Sequence, residues 1–237
     1  MLSISEYKFS LLFLFLFSDV LSDQNLHEYE FRWGIIPVAR LVLKEEGIPS
    51  QYLDIPISFH IKTLGPLKLI KDYDVKGGIK SLSDASNEYY LKGYDSGSPE
   101  EKSIIFSRAK LPYVLKFIDD KGVKSQRADN VSQVDPITSF LRLVVSYNNN
   151  NNCDSSSYVF DGKRNMFVET SFSRQADKMI ECQMQIDMSN IKISKSKKWP
   201  FGEKKRVIFF QFIEDGDKFP DKIVIESPFG KIIGKKS

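Results

Sequence analysis

From His27 onward the chain alternates apolar with polar side chains. Tyr29, Phe31 and Trp33 stand against Glu28, Glu30 and Arg32. A period of two belongs to a strand, and it puts the three aromatics on one face of a sheet. Gly34 and Pro37 interrupt the pattern, and Val38 to Lys44 supplies a second strand. Glu46-Gly47 reads as a hairpin turn. Gln51 to Lys62 supplies a third strand, with Ile55, Ile57, Phe59 and Ile61 on one face. Pro56 sits within that run. Because proline cannot donate to a ladder, an edge strand or a bulge is expected there.

Between Thr63 and Ser86 the periodicity fades. Gly65-Pro66 and Gly77-Gly78 are breakers, and a short helix or an irregular excursion is expected. Glu88 to Tyr94, with Tyr90 in it, pairs with Lys102 to Ser107 around Asp95-Ser96-Gly97-Ser98. Tyr113 to Ile118 and Lys124 to Asp129 form a weaker pair around Asp119-Asp120-Lys121-Gly122.

The period then changes. Ile137, Phe140, Leu141, Val144 and Val145 recur at helical spacing. Asp135 is suited to accept from a first-turn N–H, and Pro136 pre-sets the first helical φ. The helix is expected to end near Tyr147, before a solvated loop over the asparagine run Asn148 to Asn152. Further strands follow over Tyr158–Phe160, 165–171, 178–187, 206–214 and 222–227, with Glu214-Asp215-Gly216-Asp217 as a hairpin turn. No linker and no fixed-period repeat divides the chain. The fold class is mainly β: a large curved antiparallel sheet, half-barrel or open barrel, with one main helix near residues 135–147.

The first two dozen residues follow a different rule. Lys8 precedes an unbroken apolar run from Leu11 to Phe17, and small residues lie near Ser22. That is the pattern of a secretory signal peptide. The run is far shorter than the roughly 20 apolar residues of a membrane-spanning helix. Residues 1–22 are therefore expected to be cleaved near Ser22, leaving a single β-rich domain over 23–237 with no stable membrane span. No cysteine lies near the cut, so lipidation is not expected. The expected location is exported and periplasmic, of the Gram-negative type.

Charge changes the picture little. The mature portion has 33 basic and 29 acidic side chains, a balance of +4. That is too mild for a nucleic-acid partner, which calls for a concentrated basic face. The local cluster Lys195, Lys197, Lys198, Lys204, Lys205 and Arg206 reads as a solvated loop and strand edge.

Export makes the two cysteines, Cys153 and Cys182, a disulfide candidate. The pair would close a loop of about 30 residues, stabilising by roughly 3–4 kcal/mol on the chain-entropy view. Cys-x-x-Cys spacing is missing, which argues against a redox-active pair. His27 and His60 are the only histidines and fall on separate strands, so no metal site and no catalytic triad is expected. The chain has no nucleophile elbow, phosphate loop or dinucleotide fingerprint, and no cofactor is expected. Asp161-Gly162-Lys163-Arg164 reads as an Asp-Gly turn, with a ligand contact by Lys163 or Arg164 as the sharper alternative.

Three pieces occur in order: Val134-Asp135-Pro136-Ile137-Thr138, then Cys153 with Val159-Phe160-Asp161-Gly162-Lys163-Arg164, then Cys182 with Phe219-Pro220-Asp221-Lys222-Ile223 and Phe229-Gly230. In this order the chain resembles the bacterial exported family called domain of unknown function 3108. The resemblance covers most of the mature chain and is most specific from Val134 onward. It departs where the family's tyrosine after the basic pair is replaced by Asn165-Met166-Phe167. It implies an exported, mostly antiparallel β protein similar to lipoprotein-carrier folds, with no activity attached.

The leading expectation is non-catalytic binding of a lipid, another apolar ligand or an envelope protein. Tyr29, Phe31, Trp33, Phe59 and Tyr90 would line the inner face, with Lys163 and Arg164 at the turn. Asp135, Pro136, Asp161, Gly162, Pro220 and Gly230 would have structural roles. The alternatives are a structural or assembly factor of the envelope and a carboxylate-based hydrolase.

Overall fold

The computed structural model describes residues 26–46, 56–82, 86–107, 113–119, 122–124, 133–162, 164–187, 205–227 and 230–237. The proposed leader lies outside them, as do Lys163 and most of the expected strand at 124–129.

The described residues form a 14-stranded antiparallel sheet. In chain order the strands are β1 (Leu26–Trp33), β2 (Ile36–Glu45), β3 (Ile57–Thr63), β4 (Tyr73–Ser81), β5 (Ser86–Asp95), β6 (Ser98–Ser107), β7 (Tyr113–Asp119), β8 (Gly122–Lys124), β9 (Ser155–Phe160), β10 (Asn165–Ala176), β11 (Met179–Asp187), β12 (Lys205–Ile213), β13 (Lys222–Ser227) and β14 (Gly230–Lys236). A four-residue helix, α1 (Leu67–Ile70), joins β3 to β4. The main helix, α2 (Pro136–Asn150), precedes β9.

The order in the sheet is β8-β7-β6-β5-β4-β3-β2-β1-β14-β13-β12-β11-β10-β9. The two ends of the described chain are thus neighbours at its centre, and each half meanders outward by hairpins. The sheet curls strongly. Gly162, in the turn after β9, comes within contact of Ile104 on β6, although β9 and β6 lie near opposite ends of the order. A flat sheet could not bring them together.

Inside the curl, the register sets one apolar face. Leu43 pairs with Phe59, Phe59 with Gly77 and Gly77 with Leu91. On the other half Phe210 pairs with both Cys182 and Ile223. Helix α2 covers this second half: Tyr147 stacks on Phe212 at 4.1 Å, and Phe140 meets Phe210 at 5.3 Å and Phe219 at 6.1 Å.

Four expectations need correction. The helix does not stop near Tyr147 but runs to Asn150, because the Asn148 amide donates to the Val144 carbonyl at 2.8 Å and to Lys218 at 3.0 Å. Asn151 then closes it in the left-handed conformation, φ 49°. Pro56 is not inside a strand: β3 starts just after it and is paired on both sides. The faded stretch from Thr63 to Ser86 contains a full strand, β4, with Gly77-Gly78 at its middle. The last strand, β14, pairs β1 and has no counterpart among the strands read from periodicity.

Candidate functional site

The inner face is built mainly by side chains that alternate inward from β1 to β6. Tyr29 is fully buried, and its hydroxyl donates to the carbonyl of Pro220 at 2.7 Å. Burial and the nearby carboxylates of Asp217 and Asp221 push its pKa far up, so it is a neutral donor. The Phe31 ring covers Gly234 and the Phe59 ring covers Gly77; a Cβ at either glycine would fall within 3 Å of the ring. These three aromatics all belong to the buried core, and each is packed against the protein's own atoms.

The other expected residues part company. Trp33 is 48% exposed at the end of β1. Tyr90 lies on the outer face, since the strand period turns it away from its buried neighbour Tyr89; there Lys80 Nζ sits 4.4 Å above its ring. The expected inner position of Tyr90 is therefore corrected. Arg164 is turned onto Asp161: its backbone N–H and Nε donate to the carboxylate at 2.7 and 2.8 Å. Asp161 is itself buried, so this clamp fixes the β9–β10 turn. Asp135 is buried at the start of α2, accepting from the Thr138 N–H at 2.8 Å and its hydroxyl at 2.5 Å. Desolvation raises its pKa, and the Thr138 bonds pull the other way. Cys153 and Cys182 are disulfide-bonded, which ties the chain just before β9 to β11.

A polar group that periodicity did not single out lies where the two halves of the sheet meet. Lys102 and Glu100 face inward from β6 and form an ion pair at 3.0 Å, both side chains nearly buried. Gly162 packs close to the Lys102 stem. Tyr73 and Tyr89 stand near this pair; burial foremost, then the surrounding carboxylates, push both phenols well up. The alternation Glu100, Lys102, Ile104, Phe106 was the available signal, since it places the two charges on the core side. A buried ion pair costs desolvation and is a poor source of net stability; here it joins two residues of β6, and the Lys102 stem is what the β9–β10 turn packs against at Gly162.

Chemically these carboxylates are committed. Asp135 caps a helix and Asp161 holds Arg164. Among the described residues no three His, Cys, Asp or Glu side chains group to hold a metal ion, and no helix is long and apolar enough to cross a membrane.

No family model and no curated protein matches the chain. Among solved structures, the crystal structure of a beta-barrel-like protein of domain of unknown function DUF1849 from Brucella abortus is similar. It aligns with a TM-score of 0.57 and 9% identity over 90% of this chain and 94% of that one. The fold is shared. At that identity the likeness carries the architecture and no activity.

Proposed function

We propose that this chain is an exported, non-catalytic protein of the cell envelope that binds a partner on its outer surface. The observation that supports this over a carrier of an apolar ligand is the state of the inner face. Tyr29, Phe31 and Phe59 are buried against Pro220, Gly234 and Gly77, and α2 lies over Phe210 and Phe212. A ligand there would have to displace the protein's own core.

Export is supported by the charged-then-apolar pattern of residues 1–22 and by a disulfide, which persists in oxidising compartments. The periplasm fits both. The likeness to domain of unknown function 3108 belongs to this reading, supported by the order of the Asp-Pro helix start, the Phe-Asp-Gly turn and the Pro220 to Gly230 ending.

The test is expression of the full chain in a Gram-negative host, followed by fractionation and mass spectrometry of the recovered protein. A periplasmic product starting near Asp23, with the disulfide formed, is expected. A full-length product in the cytoplasm with free thiols would overturn the reading.

A further inference from the structure

The outer face of β3 to β5 carries unanswered positive charge along one cross-strand row. Val75 and Leu91 point into the core, so the strand period turns their neighbours Lys76 and Lys92 outward. These two lysines are direct partners across the β4–β5 ladder, and His60 on β3 is opposite Lys76. The carboxylate of that row, Glu101 on β6, is opposite Lys92 and forms no ion pair with it. Asp74, the partner of Lys62 across the β3–β4 ladder, is taken by His60, whose Nε2 lies 2.7 Å from its carboxylate. Asp72 pairs with Lys68 at 3.8 Å. Among the described residues, Lys62, Lys76 and Lys92 are thus left without an ion pair.

Like charges directly opposite one another on a ladder are destabilising. No ion pair among the described residues offsets the repulsion of Lys76 and Lys92, and a local rule broken without compensation is expected at a functional site. The same lysines border a groove of about 470 Å³, with Lys68 on α1 as a third amine. Tyr94, with its ring exposed, is part of the wall, and Gly93 and Gly97 leave the rest of it bare of side chains. The carboxylates lining the groove, Asp72 and Asp74, are the two already engaged by Lys68 and His60. The volume is that of a small-molecule site and exceeds what a phosphate group fills alone.

We propose that this groove binds a phosphomonoester, with the Lys76 and Lys92 ammonium groups on the phosphate and the body of the ligand against Tyr94. A phosphomonoester carries a charge of about −1.5 to −2 at neutral pH. One such group answers both lysines, whereas a carboxylate, a sulfate ester or a phosphodiester answers one. Directly opposed side chains leave their Cβ atoms about 5 Å apart, so both long amines reach one phosphate. The same group is presented by a soluble phosphate ester and by a lipid headgroup. The proposal rests on the reading that binding happens on the outer surface and takes nothing from export. Calorimetry tests the groove and fractionation tests the compartment, so either can fail alone.

The experiment uses the protein as isolated, with its leader state fixed by mass spectrometry and equal in every sample. It is titrated with phenyl phosphate and, separately, with phenyl sulfate by isothermal calorimetry, at neutral pH and about 0.15 M salt. The phosphate ester should bind at least about ten-fold tighter than the singly charged sulfate ester. Lys76→Gln and Lys92→Gln should each weaken phenyl phosphate on the order of ten-fold. Lys231→Gln, at an exposed lysine paired with Glu226, should leave it unchanged. Tyr94→Ala should weaken phenyl phosphate and leave methyl phosphate as it was. Both glutamine variants relieve a like-charge pair, so their urea midpoints should not fall. Sedimentation with phosphatidylcholine vesicles containing phosphatidic acid or phosphatidylglycerol separates the sources. Binding to the phosphatidic acid vesicles alone assigns the group to a lipid, and binding of phenyl phosphate without either vesicle assigns it to a soluble ester. No saturable binding of phenyl phosphate, equal binding of phenyl sulfate, or affinity untouched in both glutamine variants would each overturn the proposal.

Discussion

The hydroxyl of Tyr29 donates to the carbonyl oxygen of Pro220 at 2.7 Å, across 191 residues of chain. It links the first described strand to the loop between β12 and β13, deep in the core, where both residues are fully buried. Replacing Tyr29 by Phe keeps the ring and leaves a buried carbonyl unsatisfied. The expected cost is about 1–3 kcal/mol of unfolding free energy, read from urea denaturation. An unchanged midpoint would mean that water reaches the Pro220 carbonyl.

Gly234 lies beneath the Phe31 ring, and a Cβ there would come 2.5 Å from the nearest ring carbon. Both residues are at the centre of the sheet, where β14 pairs β1. Gly234→Ala should cost about 1–3 kcal/mol by overpacking. The double variant with Phe31→Leu should lose less than the sum of the singles, because the leucine vacates the clash. Strict additivity in that cycle would contradict the contact.

The bond between Cys153 and Cys182 closes a separation of 29 residues. Reduction should lower stability by about 3 kcal/mol, chiefly by freeing the unfolded chain. The measurement is thermal unfolding with and without reductant. The Cys153→Ala, Cys182→Ala double variant should match the reduced protein and no longer respond to reductant.

His27 is buried and stacked on Phe219, with ring centroids 3.9 Å apart. Burial first, then the positive Lys236, lower its pKa; Asp217 and Glu45 oppose this without reversing it. The folded state therefore prefers the neutral imidazole. Its contribution to stability is present above the unfolded value, about 6.5, and is lost as pH falls through the lower folded value. Glu181 is also depressed: burial raises its pKa, but the bonds from Gln211, Arg174 and Ser173 together outweigh that. Its contribution is lost in a separate window, below the ordinary carboxylate range of about 4. The urea midpoint should fall as pH drops from about 7 to 5, and in His27→Gln that segment should flatten while the acid limb remains.

Much of the architecture was legible because alternation is a local signal. Tyr29 and Phe31 face inward as the period of two requires, and Asp135-Pro136 starts the helix where capping chemistry places it. What escaped depends on partners far away. Gly77-Gly78 reads as a breaker because the residues that compensate are on other strands: the Phe59 ring lies over Gly77, and the Tyr90 hydroxyl lies against Gly78. Asn148 reads as loop because one of the bonds that hold it goes to the Lys218 carbonyl, 70 residues along the chain. Lys102 and Glu100 gave only their parity. Their meaning arises when the curl brings the β9–β10 turn onto β6, which no local pattern records.

The central claim is that the inner face is the protein's own core and that binding happens outside. Native mass spectrometry tests this most directly. The delipidated chain carrying Ile35→Ser, Leu69→Ser and Ile70→Ser, which removes three exposed apolar side chains, is incubated with a long-chain fatty acid and sprayed from a volatile neutral buffer. The bare protein mass with no stoichiometric adduct is expected. A one-to-one complex, lost on mutation of Phe59 or Phe210, would place a ligand on the inner face of the sheet and contradict it.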